Sequence, residues 1–389
     1  MAGHGVDFAV IGGGMMGAPC ARHLAEAGHS VALIAAPEPP AGGRGPWASH
    51  HDAARITRAV AADADWARLS QRSIARYRDL EARAGRTLFA ETGAVMAGLR
   101  EGPLSGFTTR FLDVAATVPD ADVVAGRDVA GWTLPDGSVA SVERRGAGWI
   151  DPRAMCAAQI DLAEAAGAQV HRTAAVARQG RTVVLADGAR VEAGHVVVAT
   201  GPHAASDGLL PARPAMTVWA RTVAFARLDA ARAAELSGLP SLIYVPGPDW
   251  DHDLYVLPPV RYADGRTYLK IGGQSDGPVI SDGAAMDAWF QGDGEAAVGD
   301  RLLAELRRVL PDVEWDGTHT APCAVVWTRT GLPYIDAAGP GVTVLCGGNG
   351  AAAKCGDELG RLGALAAQGN GLASEGYAAT FEVVWDAPG

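Results

Sequence analysis

Apolar runs that end in glycine predict alternating strands and helices from the start of the chain. Val6–Ile11 is typical of a buried strand, an amphipathic segment then ends at Gly28, and Ser30–Ile34 is typical of a second strand. The link between the first strand and the helix, Gly12-Gly13-Gly14-Met15-Met16-Gly17, has the pattern G-x-G-x-x-G. In a βαβ unit such a turn brings backbone N–H groups to a pyrophosphate. The pattern therefore predicts dinucleotide binding at Gly12, Gly14 and Gly17.

Later segments repeat this alternation. Amphipathic helices are predicted at 64–84, 154–166, 296–310 and 356–367, and hairpins with Asp-Gly turns at 182–192 and 262–272. Elements of nucleotide-binding type occur at the start, middle and end of the chain, separated by β-rich stretches. We therefore expect one nucleotide-binding domain from residues 1–88, 149–215 and 323–389. A second, β-rich domain is expected from residues 89–148 and 216–322, with the active site where the two meet.

Composition narrows the functional classes. The chain has 389 residues and a net charge of -11, which gives no bulk attraction for nucleic acid or an anionic membrane. No apolar run reaches the ~18 residues of a membrane span, and the N-terminus lacks the pattern of a signal peptide. Five cysteines, an odd number, favour reduced thiols. We expect a cytoplasmic monomer that acts on a small molecule.

Two further patterns carry a family resemblance. One is Ser49-His50-His51-Asp52 followed by Arg55 and Arg58, and the other is a strand that ends in Ala199-Thr200-Gly201. With them the chain resembles, over nearly its whole length, the D-amino-acid oxidase superfamily of FAD oxidoreductases, in particular its sarcosine oxidase and N-methyl-amino-acid oxidase branch. The resemblance implies an α/β fold with an α+β part. The implied fold combines two parts. One is an FAD-binding Rossmann domain of the glutathione-reductase type, and the other is a β-rich substrate domain with a mixed or antiparallel sheet.

The resemblance also implies which residues contact FAD. Cys323, in Ala321-Pro322-Cys323-Ala324, matches the cysteine that this branch joins through sulfur to the flavin, so covalent FAD is expected; a small buried thiol is the alternative. His51 and Arg55 match residues that face the flavin ring, where positive charge stabilises reduced flavin, and His50 is the alternative to His51. The implied cofactor-binding residues are Gly12, Gly14, Gly17, Ser49, Val176, Thr200, Gly201, Cys323, Gly348 and Gly350.

Only two of the 33 basic residues are lysines, Lys270 and Lys354. Lys270 follows the Asp264-Gly265 turn, and strand alternation places it on the face opposite Leu269. The resemblance implies that Lys270 activates O2, because a preorganised cation stabilises the negative charge that O2 acquires. The alternative is a surface lysine on an edge strand.

The resemblance implies that Lys354 and Arg58 together hold the substrate carboxylate. The alternative for Lys354 is a solvated helix start, although a cation there is electrostatically unfavourable. Tyr255 and Gln274 are the other implied substrate residues, and Gln274 replaces a histidine of sarcosine oxidases. Because Tyr255 and Gln274 both depart from the family pattern and both are expected at the substrate, sarcosine itself is not expected as the substrate.

Other departures concern the ribose and a possible metal. Ala35 stands where an acidic residue usually binds the ribose, and Glu38 follows three residues later. His252 lies between two aspartates, but no second His/Cys cluster completes a metal site, so none is expected.

The resemblance, together with these observations, implies an FAD-dependent amine oxidase. It would oxidise the C–N bond of a secondary, N-methyl or cyclic amino acid to an imine and reduce O2 to H2O2. One alternative is a flavin dehydrogenase of the same fold with another electron acceptor. The other is a non-catalytic protein that keeps only dinucleotide binding.

Overall fold

The structure, a computed structural model, describes residues 5–40, 43–273 and 276–387. The helices in this part of the chain are α1 Gly17–Glu26, α2 Ala64–Ala84, α3 Ser105–Ala115, α4 Pro152–Ala165, α5 Ala230–Glu235, α6 Gly283–Phe290, α7 Ala296–Val309 and α8 Ala352–Ala367. The strands are β1 Val6–Ile11, β2 Val31–Ile34, β3 Arg55–Thr57, β4 Phe89–Ala90, β5 Ala94–Gly98, β6 Ala121–Ala125, β7 Asp128–Val129, β8 Trp132–Thr133, β9 Val139–Glu143, β10 Gly148–Ile150, β11 Gln169–His171, β12 Ala175–Gln179, β13 Thr182–Leu185, β14 Arg190–Val198, β15 Met216–Leu228, β16 Ser241–Tyr244, β17 Leu254–Arg261, β18 Thr267–Gly272, β19 Gly317–Thr328, β20 Tyr334–Ala337 and β21 Val342–Cys346.

The first large sheet has the order β11-β2-β1-β14-β13-β12, with β21 also paired to β14 and β20 to β21. Its centre is parallel, because β1 pairs in parallel with β2 and β14. Successive residues of β1 enter different core clusters: Phe8 and Val10 pack with Leu24 and Leu359, whereas Ala9 and Ile11 lie in the other cluster. Burial of both faces explains why this strand is a continuous apolar run.

The second large sheet has the order β19-β15-β18-β17-β16-β5-β9-β6 and is mainly antiparallel. β15 and β19 pair from Met216 opposite Thr328 to Arg227 opposite Gly317. Only β5 and β16 pair in parallel among these described strands. Because β19 runs through residues 322 and 323, the expected domain boundary falls inside one strand. The division into two domains stays a proposal.

Three shorter features position the cavity described below. A small sheet of β3, β10 and β4 fixes the segment that carries Arg55. Helix α2 begins at its N-cap Asp63, whose side chain accepts a hydrogen bond from the Trp66 amide. Helix α8 begins at Ala352 rather than at residue 356 as predicted, because the preceding alanines favour helix. Among the described residues, no helix is long and apolar enough to cross a membrane.

Candidate active site

A cavity of about 1420 Å³ is lined by residues of both large sheets. This volume exceeds the range of about 300–1,000 Å³ that is common for small-ligand pockets. Its wall includes the glycine turn after β1, residues 45–52 and 55, parts of β15 and β19, and the start of α8. The cavity therefore has room for a dinucleotide together with a smaller molecule.

The glycine turn forms one end of this cavity. Gly12 has φ +114°, and a Cβ atom there would lie 2.3 Å from the carbonyl oxygen of Ala199. A Cβ at Gly17 would lie 1.9 Å from the carbonyl oxygen of Gly12, so Gly17 permits close packing without lining the cavity. Gly14 is open towards the cavity, since its nearest neighbour would be His50 Nδ1 at 3.6 Å. This cradle fits a pyrophosphate at the start of α1.

Most other expected cofactor residues line the same cavity. They are Ser49, Thr200, Gly201, Cys323, Gly348 and Gly350. Val176 is the exception: its side chain is 57% exposed, and among the described residues the wall is formed by 173–175 instead. Glu38 pairs with Arg153 at 2.6 Å, and Arg153 lines the cavity. Arg153 therefore lies near the segment in which the sequence lacks the usual acidic residue for the ribose.

Trp47 Nε1 and His50 Nδ1 are among the buried polar atoms of the cavity wall that have no hydrogen-bond partner within the described residues. An unpaired buried polar atom is costly, which indicates that a bound ligand supplies the partner. Together with the glycine cradle, these atoms fit a bound FAD.

Neither histidine of the motif is suited to carry charge at neutral pH. Burial lowers the pKa of His50 to about 3 and also lowers the pKa of His51. Both rings line the cavity, so the structure does not choose between them. The expected positive charge at the flavin therefore rests on Arg55. Burial lowers the pKa of Arg55, but the neighbouring Asp52 carboxylate outweighs this effect, so the pKa is raised overall.

Lys270 lies in the interior of the second sheet. Its strand β18 is between β15 and β17, and its side chain is 1% exposed, so the edge-strand alternative is wrong. The Nζ atom donates to Asp52 Oδ2 at 2.7 Å and to the carbonyl oxygen of Ala54 at 2.7 Å. Asp52 also accepts from Arg55 Nη1. Burial lowers the pKa of Lys270 to about 8, against the opposing effect of Asp52.

Lys354 lies in the first turn of α8 and lines the cavity while being 5% exposed. Its Nζ donates to Ser70 Oγ at 2.7 Å and lies 5.8 Å from the ring centre of Trp66. Burial, together with the neighbouring charge of Arg58, lowers the pKa of Lys354 to about 8, against the opposing effect of Cys355. The solvated-helix alternative is therefore wrong.

Arg58 lines the same part of the cavity and is 8% exposed. Its Nη1 donates to the carbonyl oxygen of Val60, and its Nε has no partner among the described residues. Burial lowers its pKa, and Glu143 and Asp253 oppose this. Within the described residues, neither Arg58 nor Lys354 forms an ion pair at hydrogen-bond distance.

Three carboxylates of this region were missed by sequence reasoning. Asp52 was part of the quoted motif and contacts Lys270. Glu143 accepts hydrogen bonds from the amides of residues 59 and 60, at 2.7 and 3.1 Å, and so holds the segment that carries Arg58. Asp253 lines the cavity, and burial raises its pKa. Only Asp253 had an unused local signal, because strand alternation places it on the face of Tyr255.

Tyr255 also lines the cavity. It is paired with Gly272 of β18, where a Cβ atom would lie 2.5 Å from the phenol oxygen. Glycine at this position therefore lets the ring lie across the neighbouring strand. Gln274, the other expected substrate residue, lies outside the described residues.

Cys323 differs from the other four cysteines, which are all buried. It is half-buried on β19, opposite Arg221, and lines the cavity. Arg55, Arg221 and Lys270 are all close enough to interact with its sulfur electrostatically.

A family model described as FAD dependent oxidoreductase matches residues 7–365. A search of curated proteins finds no match. A mutant of NikD, described as an unusual amino acid oxidase essential for nikkomycin biosynthesis, has a similar structure, with TM-score 0.76, 23% identity and coverage of 99% of this chain and 98% of that one.

Two further solved structures are also similar. Iminodiacetate oxidase from Chelativorans sp. BNC1 has TM-score 0.69 and 21% identity over 93% of this chain and 95% of that one. Amadoriase I from Aspergillus fumigatus, a fructosyl amine:oxygen oxidoreductase, has TM-score 0.68 and 18% identity over 94% and 87%. At these identities the likeness establishes the fold.

Proposed function

The chain belongs to the family of FAD-dependent oxidoreductases, and we propose that it oxidises the C–N bond of a secondary, N-methyl or cyclic amino acid with O2 as electron acceptor. The observation that carries this proposal is the pair of buried cations Arg58 and Lys354 in the cavity wall. Buried charges are costly unless an anion compensates them. A substrate carboxylate is the anion that both can bind.

The surroundings of this pair suit a small amino acid. Trp66, Phe107 and Tyr255 line the cavity with apolar Met96 and Ile243. Two charge-assisted hydrogen bonds would fix the carboxylate, and the aromatic side chains would exclude water from the rest of the substrate. The names of two structural neighbours, an amino acid oxidase and iminodiacetate oxidase, are consistent with this substrate class.

Bound FAD would accept a hydride from the carbon next to nitrogen and return the two electrons to O2. The amine enters unprotonated, and after hydride loss its nitrogen gives up a proton, which leaves an imine. Water then hydrolyses the imine. Two electrons and two protons convert O2 to H2O2, and Lys270 would stabilise the negative charge as it develops on O2.

We also propose that Cys323 is joined to FAD through its sulfur. Support comes from its place in the cavity wall and from its partial exposure, whereas the other four cysteines are buried. Acid precipitation should leave the yellow colour in the protein pellet. Cys323→Ser should release it to the supernatant, whereas Cys156→Ser, a change at a buried cysteine outside the cavity wall, should not.

A substrate panel tests the function itself. Purified protein would be mixed with N-methyl, N-alkyl and cyclic amino acids and with the matching amines that lack a carboxylate, and H2O2 would be measured. We expect H2O2 from the amino acids and none from the matching amines that lack a carboxylate. Peroxide from the decarboxylated amines alone would contradict the substrate class. Bleaching of the flavin by an amino acid without rapid return of colour in air would instead support the dehydrogenase.

A further inference from the structure

Asp52 joins Lys270 to the cavity wall, because its carboxylate contacts the lysine and the residue lines the cavity. Asp52 lines the cavity, whereas Lys270 is not among the described residues that do so. Two of the three ammonium hydrogens of Lys270 are used by Asp52 Oδ2 and by the Ala54 carbonyl, each at 2.7 Å. The same Asp52 oxygen also accepts from Arg55. Asp52 is therefore a charged group that contacts Lys270 and also belongs to the cavity wall.

Asp52 is itself held in place. Its second oxygen accepts from the Ala53 amide at 2.8 Å. The cross-strand neighbours of Lys270, Phe225 and Leu257, are apolar and supply no charge. The contact between Asp52 and Lys270 is thus the main ionic interaction of this lysine.

We propose that Asp52 is a positioning residue that sets the charge of Lys270, and thereby the pH range over which reduced FAD reacts with O2. This inference rests on the proposed role of Lys270 in the reaction with O2. In this role the Asp52 carboxylate has two effects. It reduces the net positive charge near the flavin, and it keeps Lys270 protonated.

Two effects of Asp52 oppose each other. With Asp52 ionised, the charges of Lys270, Arg55 and Asp52 sum to one positive charge, and removal of the carboxylate charge would leave two. The same removal destabilises protonated Lys270, because its partner is lost and Arg55 remains nearby. Cys323, Tyr255 and Tyr262 are the other titratable groups that interact with Lys270 or with its two charged neighbours.

The pH profile of reoxidation separates these effects. In the wild type, reoxidation should slow as the pH rises through about 8, where Lys270 loses its proton. In Asp52→Asn the inflection should move to between about pH 5 and 7, because loss of an adjacent opposite charge lowers a lysine pKa by about 1–3. Below its own inflection the variant should react faster than the wild type.

The experiment uses whole, FAD-loaded protein that dithionite reduces, so that no amine substrate is needed. Stopped-flow mixing with O2 gives the reoxidation rate at each pH, and the midpoint potential of bound FAD is measured in parallel. The Asp52→Asn potential should be more positive than that of the wild type, since positive charge favours reduced flavin. Asp63→Asn is the matched control, because it removes a carboxylate of the same cavity and keeps the α2 cap.

Identical profiles and potentials for Asp52→Asn and the wild type would overturn the inference. If Asp52→Asn does not fold, the pH profile of Lys270→Arg is measured instead. Arginine stays charged over this pH range, so the inflection near pH 8 should disappear. An inflection that remained near pH 8 would overturn the inference. Failure of the proposed function gives a different result. Reduced wild type that is inert to O2 at every pH removes the oxidase, while the shift in midpoint potential still tests the charge of Asp52.

Discussion

Both lysines of this chain are buried, Lys354 in the cavity wall and Lys270 against Asp52 of that wall, but their partners differ. Lys270 contacts the carboxylate of Asp52 and a backbone carbonyl. Lys354 donates to the hydroxyl of Ser70 at 2.7 Å and has a longer contact with Cys355 Sγ at 3.9 Å. Burial lowers the pKa of each lysine to about 8. Burial thus lowers both pKa values, although the groups that oppose this effect differ.

The difference suits two different tasks. A lysine that already has an internal carboxylate keeps a fixed, partly compensated charge and has little attraction left for a substrate anion. A lysine without one has an unmet demand for an anion, and Arg58 beside it increases that demand. A compact ammonium suits both places, because a planar, bulkier guanidinium would need more room and more acceptors.

Lys270→Met should give the largest effect. Loss of one preorganised charge costs about 3–4 kcal/mol in comparable electrostatic sites, so reoxidation by O2 should slow on the order of 100- to 1,000-fold. Anaerobic reduction by substrate should slow much less. Stopped-flow measurement of both half-reactions checks this, with Lys354→Met as the contrasting variant whose dithionite-reduced form should react with O2 normally. Equal slowing of both half-reactions in Lys270→Met would show a structural lysine.

Changes at Arg58 and Lys354 should affect binding instead. Each substitution by Ala or Met should weaken substrate binding by about 2–3 kcal/mol, the loss of one charged hydrogen bond. The double variant should lose less than the sum, because both residues hold one carboxylate. Titration of the flavin spectrum with benzoate measures this, and Lys270→Met should bind benzoate almost normally. Strictly additive losses would contradict a shared carboxylate.

A third test uses pH. Because burial lowers the pKa of Lys354 to about 8, its charged form is present below that pH and is lost above it. Benzoate affinity should therefore be constant from about pH 6 to 7.5 and fall by up to about tenfold for each further pH unit. Arg58→Ala should raise the inflection, because a neighbouring positive charge is removed. An affinity independent of pH between 6 and 9.5 would contradict this assignment.

The sequence predicted the position of each lysine in its strand or helix better than it predicted the residues that contact it. Alternation on β18 correctly placed Leu269 and Ile271 in the core under α7 and Lys270 on the other face. Its partner Asp52 lies 218 residues away in sequence, so no local pattern could reveal the contact. Lys354 was expected before the last helix and lies within its first turn, because the alanines extend α8. Glycine spacing predicted the cradle, since its geometry is local.

The smallest expected effect concerns Ser70, which accepts from Lys354 and donates to the Trp66 carbonyl. Ser70→Ala removes the acceptor of a buried ammonium, and one such bond contributes about 1.5–3 kcal/mol when its partner is charged. Protonated Lys354 should become less stable, so benzoate binding should weaken several-fold at pH 7 and its inflection should move to lower pH. Ser73→Ala is the matched control, because Ser73 is on the same helix and accepts from the Glu358 amide instead. If both variants weaken binding equally and leave the inflection near pH 8, Ser70 only stabilises the packing of α2 on α8. A shift confined to Ser70→Ala would show that a neutral hydroxyl maintains the charge of Lys354, as the carboxylate of Asp52 does for Lys270.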